Sequence, residues 1–276
     1  MITVEQIPPL STVAMEVMQL DPDNPDASVQ AMENIIKPDK GIAAELLKIA
    51  NSALYGRSGR IKTLKDAIAL LGLKMVKNLV LMLSTSQMQS ALKGPVYRRY
   101  LREFPVLTAL LTLDLYRPLG LPNLIEEAFL TGLLHRIAMS IIAVNKAEHY
   151  SALLEFSEKG SDLRELEKQS YRFDQDDVAG MIGDAWKLPD ELKNTLSRID
   201  CPAEEIPELS DLGRITILAA IIAERLLMIN LLREPEAKFT AILAVYDLSP
   251  RKFDVFDMDY LDNIKEHPFY IAAVRG

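Results

Sequence analysis

Apolar residues recur at intervals of three and four along almost the whole chain, which is the spacing of one helix face. No stretch shows the period-two alternation that is typical of strands. The first clear run extends from Ile42 to Ala53, where Pro38 and Asp39 are predicted to start the helix and Gly56 to end it. The pattern predicts an all-α fold.

Further helices follow the same spacing. Thr63 is the predicted cap of Leu64–Leu71, Gly72 ends that run, and Lys74–Leu92 continues as another helix. A longer apolar run, Leu124–Val144, predicts one continuous helix.

The second half of the chain contains polar helices and one apolar stripe. Three charged segments are expected to lie outside the core: Tyr150–Glu158, Asp162–Ser170 and Asp174–Lys187. A stripe at spacings of three and four predicts a central helix inside the protein, although it would also suit the seam of a homodimer: Leu212, Ile215, Ala219, Ile222, Leu226 and Ile229.

Composition narrows the class of protein. The chain has 276 residues, 25% of them charged, and a formal net charge of −8, so it resembles a soluble globular protein and is not suited to coating nucleic acid. Its one cysteine, Cys201, favours a reducing cytoplasm, and the N-terminus lacks the pattern of a signal peptide. The apolar stretch Ile215–Leu232 contains Glu224 and Arg225, which indicates a buried helix and no membrane association.

Charge is unevenly distributed. Residues 57–102 contain ten bases and one acid, a net charge of +9, which leaves −17 on the remainder. These bases either pair with the protein's own acidic helices or bind an acidic ligand or protein. The candidate binding surface consists of Lys74, Lys77, Arg98, Arg99 and Arg102.

Motifs for catalysis are largely missing from the sequence. The three histidines, His135, His149 and His267, match no local metal-binding spacing, and there is no G-x-S-x-G motif. The glycines of segment 55–60 form a turn that lacks the Lys-Ser/Thr ending of a P-loop. The acids at 174–177 suit helix capping. No cofactor is expected.

Several motifs occur together in the first half of the chain: Ile7-Pro8-Pro9-Leu10, Ile36-Lys37-Pro38-Asp39, Leu46-Leu47-Lys48-Ile49-Ala50-Asn51-Ser52-Ala53-Leu54-Tyr55-Gly56 and Leu64–Gly72. Glu127–His135 and Trp186-Lys187-Leu188-Pro189 follow in order. Together they strongly resemble the HDOD family of bacterial signalling domains. We expect structural roles for Asn51, Ser52, Tyr55, Gly56, Gly72 and Trp186.

The resemblance implies an N-terminal helical subdomain over 7–92, an HD-like bundle over 96–246 and a C-terminal extension over 247–276. HD phosphohydrolases, which are related to this family, hold metal with an early histidine, a His-Asp pair and later ligands. Here the pair is His135-Arg136, the early position falls near Phe104–Thr108, Gln175 stands at another histidine position, and the late aspartate falls within Ala219-Ala220. The metal-binding residues are largely lost.

The resemblance and these departures predict a non-enzymatic signalling module that binds a protein partner or signalling ligand, with His135 and Arg136 as a candidate pocket. The alternatives are binding of nucleotide or nucleic acid by residues 57–102, which the shortage of base-reading residues disfavours, and a degenerate metal-dependent phosphohydrolase.

Overall fold

The structure is a computed structural model and describes residues 6–21, 24, 27–56 and 60–275. Over these residues it contains helices and no strand, which confirms the all-α prediction. The chain divides into two compact units. The N-terminal unit comprises Pro9–Ser90 and Lys265–Gly276, and the bundle unit comprises Met1–Pro8 and Ala91–Ile264. The segment 247–276, expected to be one extension, is therefore shared between the two units.

The N-terminal unit is built on five helices and the end of the chain. Helix α3 starts after Asp39, and Thr63 caps α4, both as predicted. The side chains of Asp39 and Thr63 accept from the backbone N–H of Ile42 and Asp66, respectively. Gly72 lies between α4 and α5 and adopts a φ of +82°, a backbone conformation that favours glycine. The helices are α1 (Thr12–Gln19), α2 (Val29–Ile36), α3 (Lys40–Ala50), α4 (Leu64–Leu71), α5 (Leu73–Met88) and, near the C-terminus, α17 (Pro268–Tyr270).

The end of α3 differs from the prediction. The helix stops at Asn51, five residues before Gly56. The Asn51 side chain forms hydrogen bonds with backbone groups on both sides of this stop, and these bonds stabilise the turn of the chain. Its Nδ2 donates to the carbonyls of Leu47 (3.0 Å) and Ile61 (2.8 Å), and its Oδ1 accepts from the Ile61 N–H. Asn51 thus joins the two ends of the loop that follows the helix. Gly56 has a φ of +58° and ends the short 3-10 helix Ala53–Tyr55.

The bundle unit contains the remaining helices. They are α6 (Pro95–Tyr97), α7 (Phe104–Leu119), α8 (Ile125–Leu134), α9 (Ile137–Asn145), α10 (Ala147–Glu158), α11 (Leu163–Tyr171), α12 (Gln175–Ala185), α13 (Asp190–Ser197), α14 (Asp211–Leu227), α15 (Pro235–Val245) and α16 (Met258–Lys265), whose last residue is counted with the other unit. Trp186, after α12, is buried and donates its indole N–H to the carbonyl of Pro8 at 3.1 Å.

The apolar stripe near residue 215 forms the centre of the bundle unit. Helix α14 packs against α7, α8 and α15, and its stripe residues are buried within the chain, as predicted for an intramolecular central helix. A hydrogen bond of 2.7 Å joins the hydroxyls of Thr131 on α8 and Thr216 on α14. Helix α8 also approaches α7 so closely at Gly132 that a Cβ there would lie 2.8 Å from the Cα of Ala109.

The predicted single helix Leu124–Val144 is wrong in one respect. Helix α8 ends at Leu134 and α9 begins at Ile137, so His135 and Arg136 form a turn between them, where Arg136 has a non-helical φ of −124° and ψ of 23°. The combined stretch Pro122–Asn145 is long and apolar enough to cross a membrane, but 89% of its most apolar window is buried inside the protein. Such burial is typical of a core helix in a soluble protein.

The close contact at Gly132 generates a stability prediction. Gly132→Ala should lower the free energy of unfolding by about 1–3 kcal/mol, because the added methyl group meets the backbone of α7. Gly180→Ala, on the open side of α12, is the matched control and should raise it by about 0.5–1 kcal/mol through helix propensity. Urea denaturation measures both. Equal effects of the two substitutions would contradict the close packing of α7 on α8.

Candidate functional site

The bundle unit buries an unusual set of polar side chains around the turn between α8 and α9. We call it the Arg136 cluster, and it consists of His135, Arg136, Tyr150, Arg164, Glu167, Gln175 and Asp200. Five segments contribute to it: the turn after α8, the helices α10 and α11, the first residue of α12, and the loop after α13. Three of its members, His135, Arg136 and Gln175, stand at positions that the family resemblance associates with the metal site.

His135 is buried and held by local contacts. Its Nδ1 lies 2.7 Å from the carbonyl oxygen of Gly132, so this nitrogen carries the proton that the hydrogen bond requires. The ring also makes an edge contact with Phe104, with 4.8 Å between the centroids. Burial and the neighbouring charge of Arg136 lower the pKa of His135 to about 3. The imidazole is therefore neutral at physiological pH, and Nε2 carries a lone pair that has no hydrogen-bond partner among the described residues.

Arg136 is only 3% exposed and is bound by oxygen acceptors. Its Nη1 donates to Gln175 Oε1 at 3.1 Å and to Asp200 Oδ2 at 2.5 Å, while Nη2 donates to Asp200 Oδ1 at 3.2 Å. Burial lowers the pKa of Arg136, and the carboxylates of Glu224, Asp176 and Glu167 oppose that effect. The guanidinium is a buried cation with a two-pronged carboxylate partner.

A second buried guanidinium shares the same carboxylate. Arg164 on α11 donates through Nη2 to Asp200, through Nε to Asp176 at 3.0 Å, and through Nη1 to the carbonyl of Leu231 at 3.3 Å. Asp200 thus lies between the guanidiniums of Arg136 and Arg164. Helix α11 was expected outside the core. That expectation was wrong for one face, because Arg164 and Glu167 are almost completely buried.

Glu167 is fully buried on the same face of α11. Its carboxylate accepts a hydrogen bond from the Tyr150 hydroxyl at 2.5 Å and another from the backbone N–H of Gln175 at 2.9 Å. Burial raises the pKa of Glu167 to about 7, against the effect of these two hydrogen bonds and of Arg164. This carboxyl group consequently changes its charge within the physiological pH range.

Two more charged residues are buried in the same unit. Glu224 on α14 accepts from the backbone N–H groups of Leu231 (2.7 Å) and Leu232 (2.8 Å), and burial raises its pKa. Lys238 on α15 makes one long contact of 3.5 Å with the carbonyl of Ile199, and burial lowers its pKa to about 8. The buried charges therefore extend beyond the Arg136 cluster toward α14 and α15.

The residues present do not fit the divalent metal that the HD resemblance implies. Asp200 directs both carboxylate oxygens at the Arg136 guanidinium, and a cation stands where a ligand is needed. The ring of Phe104 contacts His135 at the start of the early-ligand region, and Ala219 and Ala220 lie buried in α14 without donor atoms. Across the described part of the chain, no group of three or more His, Cys, Asp or Glu residues is arranged to hold a metal ion.

Sequence reasoning identified His135, Arg136 and Gln175 but missed the charges that surround them. Glu167 follows Leu163 by four residues, so it shares the inward face of α11, and this spacing was an available signal. Glu224 within an apolar stripe was another. Asp200 lies in a loop, and nothing in the local sequence indicates its contact with two arginines. Asp174 caps α12 through the N–H groups of Asp176 and Asp177, as predicted.

The five bases of the predicted binding surface lie in both units. Lys77 is half-buried and donates to the carbonyls of Met18 and Leu20. Arg99 donates to the carbonyls of Leu227 and Met228 and pairs with Glu158 at 2.9 Å. Arg98 is exposed and pairs with Glu103 at 2.9 Å, whereas Lys74 and Arg102 are half-buried and have contacts of their own. Lys77 and Arg99 thus have structural roles.

Other bases of the segment 57–102 are more accessible. Arg60, Lys62 and Lys65 are exposed in the N-terminal unit, and they form no ion pair with any described residue. Leu54, in the loop that Asn51 closes, is 55% exposed. Residues 57–59 of the predicted glycine turn lie outside the described residues.

Comparisons with known proteins agree with the fold and with the motifs. The model of the HDOD domain family matches residues 7–202. The chain therefore belongs to the HDOD family. It is also 23% identical, over 201 residues, to an uncharacterized protein of Treponema pallidum (strain Nichols); the match covers 70% of this chain and 37% of that protein, so the chain corresponds to little more than a third of the length of this relative.

Three solved structures share the fold. An HDOD domain protein of unknown function from Geobacter sulfurreducens has a TM-score of 0.72 at 15% identity, covering 96% of this chain and 92% of its own. A protein from Marinobacter aquaeolei VT8, provisionally assigned to signal transduction, has a TM-score of 0.72 at 22% identity (98% and 60%). A protein from Shewanella amazonensis SB2B, provisionally assigned as a phosphohydrolase, has a TM-score of 0.70 at 21% identity (98% and 95%).

The buried carboxyl group of Glu167 generates a pH prediction. Its folded pKa lies above the ordinary value of 4.5, so the folded state binds the proton more tightly than the unfolded state. The resulting stabilisation is present at low pH and is lost as the pH rises to about 7, at about 1.4 kcal/mol per unit of pKa difference. Glu167→Gln removes this loss and should become progressively more stable relative to the wild type between pH 5 and pH 8.

Urea denaturation at pH 5, 6, 7 and 8 measures this difference. Glu165→Gln, on the exposed face of the same helix, is the matched control and should leave the pH dependence unchanged. A difference between Glu167→Gln and wild type that is constant over this range would show that Glu167 does not titrate there.

Proposed function

We propose that this chain is a non-enzymatic HDOD module that acts in signal transduction by binding an acidic partner protein. The observation that carries the proposal is the Arg136 guanidinium, bound to Gln175 and Asp200 at the position where an active HD enzyme needs a carboxylate metal ligand. The single free cysteine, Cys201, supports a location in a reducing compartment, the cytoplasm.

Electrostatics support the absence of hydrolytic activity. Metal-dependent hydrolysis requires a divalent cation held by several carboxylate or imidazole donors, which activates water for attack. Here a fixed positive charge repels such a cation, and the carboxylate of Asp200 is shared by two guanidiniums. His135 keeps one lone pair, which is a single ligand. This donor set favours a structural site, in which the buried groups pair with one another, over a catalytic site.

An activity assay tests the first half of the proposal. The purified protein should hydrolyse neither bis(p-nitrophenyl) phosphate nor cyclic dinucleotides above the buffer rate with Mn²⁺, Fe²⁺ or Mg²⁺. The control is Arg136→Met, which should have the same background rate because it also lacks the metal ligands. Metal-dependent turnover by the wild type that Arg136→Met changes would instead establish the degenerate phosphohydrolase.

The exposed bases of the N-terminal unit support an acidic partner. Arg60, Lys62 and Lys65 have no acid of the chain bound to them among the described residues, and Leu54 offers an apolar contact in the loop that precedes them. Long-range attraction between such bases and an acidic surface speeds association, and an exposed apolar residue adds affinity once the surfaces meet. We propose this surface over the five bases chosen from the sequence, because Lys77 and Arg99 are used internally.

Charge reversal tests the binding surface. The double variant Lys62→Glu/Lys65→Glu should lose at least tenfold in affinity for a partner captured from the source cell. It should keep its helical spectrum, since a glutamate in the first turn of α4 is favoured by the helix dipole. Arg251→Glu/Lys252→Glu, two exposed bases of the bundle unit, is the matched control and should bind normally.

The same variants separate the alternatives. An unchanged affinity in Lys62→Glu/Lys65→Glu would exclude this surface as the binding site. Tight binding of an oligonucleotide that weakens steeply with salt and is lost in this variant would instead establish the nucleic-acid function.

A further inference from the structure

A small cavity lies between α13 and the start of α14 in the bundle unit. Its volume is about 270 Å³. Pockets for drug-sized molecules usually enclose roughly 300–1,000 Å³, so this cavity suits a more compact ligand. Its polar lining residues lie outside the Arg136 cluster. They are Glu191, Asn194, Thr195, Arg198 and Ser210.

Four of these side chains share one face of α13. Starting from Glu191, they follow at steps of three, one and three residues, which places them on a single helix face. Glu191 is in the first turn and Arg198 directly follows the last turn, so the two lie about two turns, or roughly 10 Å, apart along the helix axis. A carboxylate and a guanidinium thus mark the two ends of the face, with the amide of Asn194 and the hydroxyl of Thr195 between them.

The Thr195 hydroxyl is a buried group that the protein leaves unpaired. Thr195 is 5% exposed, yet its side chain has no hydrogen-bond partner among the described residues. Buried polar side-chain atoms normally have one. Protein atoms do not enclose this oxygen completely, so it is accessible from the cavity that Thr195 lines. The cavity therefore offers a ligand a hydroxyl that can donate or accept.

The two charged side chains also have unused binding capacity. Arg198 donates through Nη2 to Glu205 at 2.8 Å, whereas its Nε and Nη1 have no partner in the described part of the chain. Glu191 is exposed and forms no ion pair with any described residue. Ser210 caps α14 at the cavity, so the positive end of this 17-residue helix adds to the charge of Arg198. The lining therefore attracts an anionic group near Arg198 and a cationic group near Glu191.

We propose that this cavity binds a small zwitterion, of the class of free amino acids and dipeptides, with its ammonium group at Glu191 and its carboxylate at Arg198. The lining favours this class over a simple anion, which Glu191 and Glu205 repel, and over a simple cation, which Arg198 repels. One or two extended residues span about 3–7 Å, and a hydrogen bond of about 2.9 Å at each end extends this to the separation of Glu191 and Arg198 along α13. The site is independent of the partner surface, which uses exposed bases of the N-terminal unit, so either proposal can fail without the other.

A ligand screen with the full chain tests the proposal. The twenty common L-amino acids and L-alanyl-L-alanine are added singly at about 10 mM, and the melting temperature is measured. A zwitterion that binds with a Kd of about 1 mM should raise the melting temperature by about 2–3 °C. The controls are the same compound with its amine acetylated and with its carboxylate amidated. Neither control should raise the melting temperature, because each lacks one of the two charges.

Isosteric variants locate the site. For the compound that binds, calorimetric titration should show a loss in affinity of at least tenfold in Glu191→Gln and of about three- to tenfold in Thr195→Val. Without ligand, Thr195→Val should melt no lower than the wild type, since the Thr195 hydroxyl makes no hydrogen bond to any described residue. Glu148→Gln, at an exposed glutamate in the first turn of α10, is the matched control and should bind normally.

The results of the screen and the titrations decide the proposal. A zwitterion that binds the wild type and loses affinity in both Glu191→Gln and Thr195→Val, with Glu148→Gln unaffected, supports it. A screen in which no compound raises the melting temperature would overturn it. So would a ligand that binds equally well with its amine acetylated, or one whose affinity neither substitution at the cavity changes.

Discussion

A buried carboxylate between two buried guanidiniums organises the bundle unit. Asp200 accepts from Arg136 and from Arg164, and each arginine then binds a second segment of the chain. Charges removed from water are tolerated only when they are paired and hydrogen-bonded, because desolvation otherwise costs several kcal/mol per ion, by rough estimate. The turn after α8, helix α11, the start of α12 and the loops after α13 and α14 must therefore take positions that satisfy these groups together.

The other buried polar groups share the same constraint. Glu167 accepts hydrogen bonds from the Tyr150 hydroxyl and from the backbone N–H of Gln175. The Gln175 side chain in turn accepts from Arg136. Glu224 binds the backbone after α14 just where the Arg164 guanidinium reaches the Leu231 carbonyl. These contacts share residues, so the cluster behaves as a network: removing one member leaves the polar groups of others unpaired.

Membership of the HDOD family establishes a shared fold, and chemistry depends on the residues placed on it. At the positions where the resemblance to HD enzymes implies metal donors, this chain has a guanidinium, an aromatic ring and two alanines. A fold that brings several segments to one point remains useful without catalysis, because it can hold surfaces in a defined shape. In our proposal, the exposed bases around Lys62 form the contact with a partner.

The sequence by itself determined the helical class, the caps at Thr63 and Asp174 and the family, since these depend on local spacing and on motifs such as Asn51–Gly56. It also pointed to His135 and Arg136. Only the tertiary structure decided that Arg136 meets Asp200, 64 residues away, and that α11 buries two charges. The physical reason is that pairing of buried charges is set by which segments meet in space, whereas helix formation and capping are set within a few residues.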